Sequence, residues 1–328
     1  MRRKLTALLV FLIIALLAPS ALAAPQDYDA AAPQSLTTDQ LYAESAILID
    51  ADSGHVFFAK NEHQRVNPAS TTKILTLLLG LESGIPLDQQ IAIPQAASSV
   101  PSDSTLIPVF PGETMSFGDL LLGFHLASGN DGANAVAVLV SGSVDSFVAL
   151  MNSRASEIGC TETHFANPHG YTNENHYTTA YDMALITREA MKNEQFRRIV
   201  GTTNATITVN ERGELKLACK HSIMFSGSSY YYDGCIGVKS GTTSAAGNCY
   251  VGAAERNGAT LISAVFKCAE DEQRWLDTAH LFDYGWTRYR AFTLDQMYAV
   301  AGSRIASFVV SNASQDDPMG GRLELELL

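Results

Sequence analysis

Ser70 and Lys73 stand three residues apart in the stretch "PASTTKILT", Pro68 to Thr76. On a helix this spacing puts both side chains on one face, a turn apart. A serine hydroxyl is a poor nucleophile at neutral pH and needs a base within hydrogen-bond reach. A lysine one turn along can be that base if burial or a nearby positive charge lowers its pKa. The run that follows, Ile74, Leu75, Leu77, Leu78 and Leu79, would bury such a helix and strip water from the amine. The ordinary alternative is a helix start with Ser70 near the N-cap and Lys73 in solvent. Ser-x-x-Lys is short and common, so other segments must decide.

Two segments bear on the choice. Ser128-Gly129-Asn130 falls in a break between two apolar runs, and Lys239-Ser240-Gly241 falls on a strand-like run. Ser128 can relay a proton to a leaving amine, and Asn130 can hold a peptide group. Lys239 would supply the charge that lowers the pKa of Lys73 if its strand packs against the helix mouth. Lys239, Ser240 and Thr242 form a cationic, hydroxyl-rich strip suited to a free carboxylate, and Gly241 keeps that strand face open to a substrate backbone.

The elements that must position these groups are legible around them. "SAILIDADSGHVFFAKNEH" gives two apolar runs about Asp52-Ser53-Gly54, a hairpin signal. Residues 117–127 and 131–140 read as helices. Thr179 with Asp182 makes a capping-box start for a helix to about Lys192. From Ile236 the texture is that of strands, two of them joined at Asn257-Gly258. A helix follows from about Asp271 to Tyr289, and the stretch from about Thr293 reads as short strands. Strands near both ends of the chain flank a helical middle. This predicts an α+β fold whose antiparallel sheet joins the N-terminal hairpin to the late strands.

The organisation expected is a leader at 1–23, a flexible lead-in at 24–40, a catalytic domain at 41–290 and a short β-rich segment at 291–328. Arg2-Arg3-Lys4, an apolar stretch from Leu8 to Ala18 and Ala21-Leu22-Ala23 form a secretory signal, so the chain is expected to work outside the cytoplasmic membrane. The net charge of -12 over 328 residues argues against nucleic acid, and against holding anionic lipid by charge. The five cysteines form no Cys-x-x-Cys pair, and His164, His169 and His176 match no zinc spacing, so neither metal nor other cofactor is expected. Most of the cysteines read as small buried hydrophobes. Tyr230-Tyr231-Tyr232 is a candidate groove lining or a packed loop.

The three short motifs, in this order and on these elements, resemble the signature of penicillin-binding proteins and serine β-lactamases. "NPASTTKILT", "ASGNDGANAVA", "FANPHGY", "HYTTAYDMALI" and "GVKSGTTSAAGNC" are similar to the low-molecular-mass penicillin-binding proteins, the D-alanyl-D-alanine carboxypeptidases, over about residues 40–290. The resemblance implies a DD-peptidase/β-lactamase-like fold with a helical subdomain. It implies removal of the terminal D-alanine from peptidoglycan stem peptides through an acyl-enzyme, with β-lactams as covalent inhibitors. Ser70, Lys73 and Ser128 would be catalytic, and Asn130, Lys239, Ser240, Gly241 and Thr242 would bind substrate. The N–H groups of Ser70 and Thr242 would form the oxyanion hole.

Ser240 stands where threonine is usual, keeping the hydroxyl. The tail is shorter than the family's C-terminal β-domain and has no terminal amphipathic helix, which leaves membrane anchoring open. A class A β-lactamase needs a deacylating glutamate, and the nearest candidate, Glu162 in "ETHFAN", is wrongly spaced. A peptidoglycan endopeptidase and a non-catalytic wall-binding or sporulation scaffold remain as alternatives, although scaffolds of this kind tend to lose the serine or a lysine.

Overall fold

The computed structural model describes residues 35–289 and the backbone of two further strands at 306–309 and 322–325. The leader, the lead-in through residue 34 and the rest of the final segment lie outside the described residues. The two late strands, Ala306–Val309 and Arg322–Leu325, pair antiparallel.

Five strands make one antiparallel sheet. They are β1 (Ser45–Asp50), β2 (Val56–Lys60), β7 (Cys235–Thr243), β8 (Gly247–Arg256) and β9 (Ala259–Cys268), in the order β2-β1-β9-β8-β7. The N-terminal hairpin thus joins the late strands as the sequence predicts, with β7 at the free edge. Two further hairpins lie off the sheet: β3 (Gln90–Ala92) with β4 (Thr114–Ser116), and β5 (Asn204–Val209) with β6 (Gly213–Ala218).

The alternation of β1 divides the core in two. Ile47 and Ile49 face one cluster, and Ala46 and Leu48 face the other. The second cluster is closed by α7 (Asp271–Trp286), which packs Trp275, Leu281, Phe282 and Trp286 against the sheet. The first holds six helices: α1 (Lys73–Glu82), α2 (Phe117–Ala127), α3 (Asn130–Ser141), α4 (Val144–Ile158), α5 (Ala180–Met191) and α6 (Glu194–Val200). In α1 every residue from Lys73 to Gly80 is buried, which fits an apolar helix threaded through the core.

Several expectations hold closely. Thr179 caps α5, its hydroxyl accepting the Asp182 N–H at 3.0 Å. The turn at Asn257-Gly258 joins β8 to β9. The ordinary alternative for the Ser70 stretch is not what forms. Ser70 is not a helix N-cap but sits inside a 3-10 turn, Ala69–Thr72, that runs directly into α1.

One buried carboxylate helps to fix the long loop between β3 and β4, alongside bonds from Asn130 and Asn134. Asp131, buried at the start of α3, accepts the N–H groups of Ile107 (3.0 Å) and Val109 (3.3 Å). Each orphaned buried N–H costs about 1–3 kcal/mol. Asp131→Ala should therefore lose about 2–5 kcal/mol in urea unfolding, and a loss below about 1 kcal/mol would show that the loop is held by something else.

Candidate active site

The 3-10 turn carries Ser70 to the mouth of a cleft of about 410 Å³. Two segments squeeze that turn. On one side the loop before α5 brings Gly170 so close that a Cβ there would overlap the Ala69 carbonyl, and its φ of +91° also suits glycine. On the other side β7 brings Gly241, where a Cβ would lie 2.7 Å from the Ser70 nitrogen. The room that Gly241 leaves is taken by the nucleophile's own backbone rather than kept open for a substrate. Held between them, Ala69 adopts a left-handed φ of +48°, a conformation that costs an L-residue about 1–2 kcal/mol.

The polar residues of α1 and the turn share one face and dock the loop before α5. The Thr76 hydroxyl donates to Pro168 O at 2.5 Å. His176 accepts the Ala166 N–H at Nδ1 (3.1 Å), so its Nε2–H donates to the Thr72 hydroxyl at 2.8 Å. Between them Lys73 Nζ reaches His169 O and Asn130 Oδ1, both at 2.7 Å, and Ser70 Oγ at 3.1 Å. Asn130 opens α3, and its Nδ2 donates to Ser104 Oγ at 3.0 Å, which fixes the amide so that Oδ1 faces the lysine.

This geometry accommodates a neutral amine as well as an ammonium. An –NH₂ group has two N–H donors and one lone pair. Two of its neighbours, a carbonyl and an amide oxygen, can only accept. An ammonium would donate to all three contacts, whereas the neutral amine donates to those two and turns its lone pair to the Ser70 hydroxyl, which is what a general base requires. Burial pushes the Lys73 pKa well below the ordinary lysine value, the Lys239 charge pushes it further the same way, and the Asp131 charge opposes.

Lys239 is also buried and is pushed down to about 7, chiefly by burial. It is therefore not the fixed positive charge expected from the sequence, since it changes charge near neutrality. The expected strip is also divided. Alternation on β7 turns Gly241 onto the Ser70 turn and the Thr242 hydroxyl toward Arg274, while Thr242 still lines the cleft. Lys239 Nζ donates to Ser240 O at 3.1 Å. Thr242 Oγ1 accepts from Arg274 Nη1 at 3.0 Å.

Arg274 is the residue that sequence reasoning missed. It projects from α7, buried, is paired with Asp271, and also donates to Gly241 O and Cys249 O. A buried arginine on the Trp275 and Phe282 face of a helix was the available signal.

The N–H groups can be placed as well. Ser240 N–H leaves the free edge of β7 for His221 Nε2 at 3.2 Å. Amides two residues apart on a strand point the same way, so Thr242 N–H also points off that edge. Ser70 N–H precedes the first bond of its turn, Thr71 N–H to Pro68 O.

Ser128 ends α2 with a left-handed φ of +60°, and it is not among the partners of Lys73. Of the remaining candidates, His169 to Thr172 line the cleft, so the loop borders it as expected. Glu162 is bonded to His63 and Tyr232 is buried in the second core cluster; neither is among the lining residues.

Four buried imidazoles surround the lysines. Burial, together with the lysine charges, pushes His125, His169 and His176 down to about 3, and His221 well below its usual value. Each binds a proton more weakly in the folded chain than in the unfolded one. Their contribution to stability is complete above about pH 6.5 and is lost as pH falls toward 3, at about 1.4 kcal/mol per pH unit for each. Melting temperature should therefore drop steeply from pH 6.5 to 5, with about three or four protons taken up on unfolding at pH 5. A flat profile over that range would contradict the neutral imidazoles.

Comparison with known proteins gives a consistent picture. A family model described as D-alanyl-D-alanine carboxypeptidase matches residues 30–270. The chain is 33% identical over 298 residues to the D-alanyl-D-alanine carboxypeptidase DacF of Bacillus subtilis, covering 90% of this chain and 73% of that one. It is 33% identical to DacB2 of Mycobacterium tuberculosis, also named a D-alanyl-D-alanine carboxypeptidase, over 74% of this chain and 82% of the relative. The crystal structure of the Streptomyces K15 DD-transpeptidase superposes with a TM-score of 0.71 at 29% identity, covering 77% of this chain and all of that one.

Proposed function

The chain belongs to the D-alanyl-D-alanine carboxypeptidase family, and we propose that Ser70 is the nucleophile with which it removes the terminal D-alanine from peptidoglycan stem peptides. It is a serine-type peptidase of the penicillin-binding class, inhibited by β-lactams. The observation that carries the residue assignment is the buried Lys73 amine, two of whose contacts are pure acceptors while the third is Ser70 Oγ.

In this mechanism Lys73 takes the Ser70 proton as Oγ attacks the carbonyl of the penultimate D-alanine. The N–H groups of Ser70 and Thr242 receive the oxyanion. Asn130 Nδ2 exchanges Ser104 Oγ for the peptide carbonyl that precedes the reacting residue. The intermediate collapses, the C–N bond breaks, and the amine of the departing D-alanine takes a proton. Ser128 is the candidate to carry that proton from Lys73, and its hydroxyl must rotate toward the leaving nitrogen to do so. Thr242 Oγ1 meets the terminal carboxylate and the Arg274 guanidinium behind it supplies the positive field, to which Lys239 adds only in its protonated form; Ser240 is buried on the strand. Water then hydrolyses the ester and Lys73 recovers its starting state. The Arg2-Arg3-Lys4 leader supports an enzyme that meets its substrate outside the cytoplasm.

Two outcomes test the assignment. Intact mass after penicillin treatment should show one adduct, absent in Ser70→Ala and persisting for minutes or longer in the wild type, because no glutamate lines the cleft among the described residues. Persistence of the adduct in Ser70→Ala would overturn the nucleophile, and rapid turnover of nitrocefin would move the chain to the β-lactamases. Lys73→Arg puts a guanidinium in place of the amine, and that group cannot give up its proton near neutral pH. It should acylate about 10²–10⁴-fold more slowly, the range expected for loss of a general base, and a rate within a few-fold of wild type would exclude Lys73.

A further inference from the structure

Among the described residues that line the cleft, Asp103 is the one carboxylic acid, no lysine or arginine lines it, and burial pushes the His169 imidazole down to about 3. The loop that presents Asp103 is tied to the substrate-holding amide by two bonds: Asn130 N–H donates to Thr105 O at 2.8 Å, and Asn130 Nδ2 donates to Ser104 Oγ at 3.0 Å. Across the cleft the Tyr171 hydroxyl donates to the Asp103 carboxylate, at 3.1 and 3.3 Å to its two oxygens. No lysine, arginine or histidine forms an ion pair with Asp103 among the described residues. The rest of this wall is neutral: Ser104 and Thr105 beside Asp103, and Gly170 and Thr172 beside Tyr171.

We propose that Asp103, steadied by Tyr171, forms a subsite for a primary ammonium on the residue that precedes D-Ala-D-Ala, selecting stem peptides with a free side-chain amine on their diamino acid. This rests on the carboxypeptidase reading above and deepens it. With the reacting carbonyl at Ser70 Oγ, the carbonyl held by Asn130 Nδ2 belongs to the preceding residue of the stem. That residue's Cα then lies beside Ser104, because an extended chain advances only about 3.3–3.6 Å per residue. Asp103 is the next residue along the loop, within reach of a side chain four methylenes long. Thr242, which lines the same cleft and accepts from the buried Arg274 behind it, is the residue assigned to the terminal carboxylate, so the two ends of the substrate would meet fields of opposite sign. Such polarity fixes register and direction in the cleft more than it adds affinity.

The experiment compares D-alanine release from two peptides, Nα-acetyl-L-Lys-D-Ala-D-Ala and its Nε-acetylated counterpart, by wild type, Asp103→Asn and Asp103→Glu. A charge-assisted bond on an exposed wall should favour the free amine about three- to tenfold in kcat/KM for the wild type. That preference should fall to near unity in Asp103→Asn, survive in Asp103→Glu and shrink in molar salt, where exposed pairs are screened. A wild type that releases D-alanine from both peptides at equal rates overturns the subsite and leaves the carboxypeptidase reading standing. The same holds if Asp103→Asn keeps the full preference, whereas release from neither peptide overturns both. Asp103 is exposed, so Asp103→Asn is expected to fold, and the salt dependence of the wild-type ratio tests the subsite without any variant.

Discussion

Everything at this site depends on the burial of one amine. Lys73 lies at the start of a helix that is buried along most of its length, with no exposed surface of its own. Placing an ammonium there without full compensation costs several kcal/mol, and that cost pushes the Lys73 pKa well below the ordinary lysine value, toward the neutral amine. The apolar run from Ile74 to Leu79 is therefore part of the chemistry. It anchors the helix in the first core cluster and sets the dielectric in which the amine titrates.

The second constraint is steric. The Ser70 turn lies between Gly170 and Gly241, and no larger residue fits at either place without displacing the nucleophile's backbone. The clamp comes from two distant parts of the chain, the loop before α5 and the free edge of the sheet. Each is held in turn by a neutral imidazole: His176 bonds to Thr72, and His221 accepts the Ser240 N–H. The site thus needs these rings uncharged for its shape and the lysines lightly protonated for its reactivity. One condition, exclusion of water, supplies both.

Much of this was legible in the sequence because short-range signals agreed with one another. The helical spacing of Ser70 and Lys73, the break at Ser128-Gly129-Asn130, the Thr179 cap and the Asn257-Gly258 turn each encode local geometry, and the sheet followed from where the strands fell. The three motifs do converge around α1, α3 and β7. What was not legible belongs to the tertiary structure. His169 holds Lys73 through a backbone carbonyl, which any residue would carry. Arg274 reaches Thr242 only because α7 packs across β9 and β8, which brings its first turn to the neighbouring β7. The near-neutral pKa of Lys239 is a product of burial, which the letters Lys-Ser-Gly do not state. The helix α4 and the β5–β6 hairpin were not assigned from the sequence. They are amphipathic pieces that take their shape from packing onto the rest.

The central claim is that Lys73 is an unprotonated amine in the resting protein at neutral pH. It can be read directly by following the side-chain ¹³Cε and ¹⁵Nζ resonances of isotopically labelled lysine against pH, with Lys73 assigned through Lys73→Arg. The account predicts one lysine that is already neutral at pH 7–8 and titrates well below the ordinary value near 10.4. A Lys73 signal that stays that of an ammonium up to pH 10 would contradict it, whatever the rate of acylation.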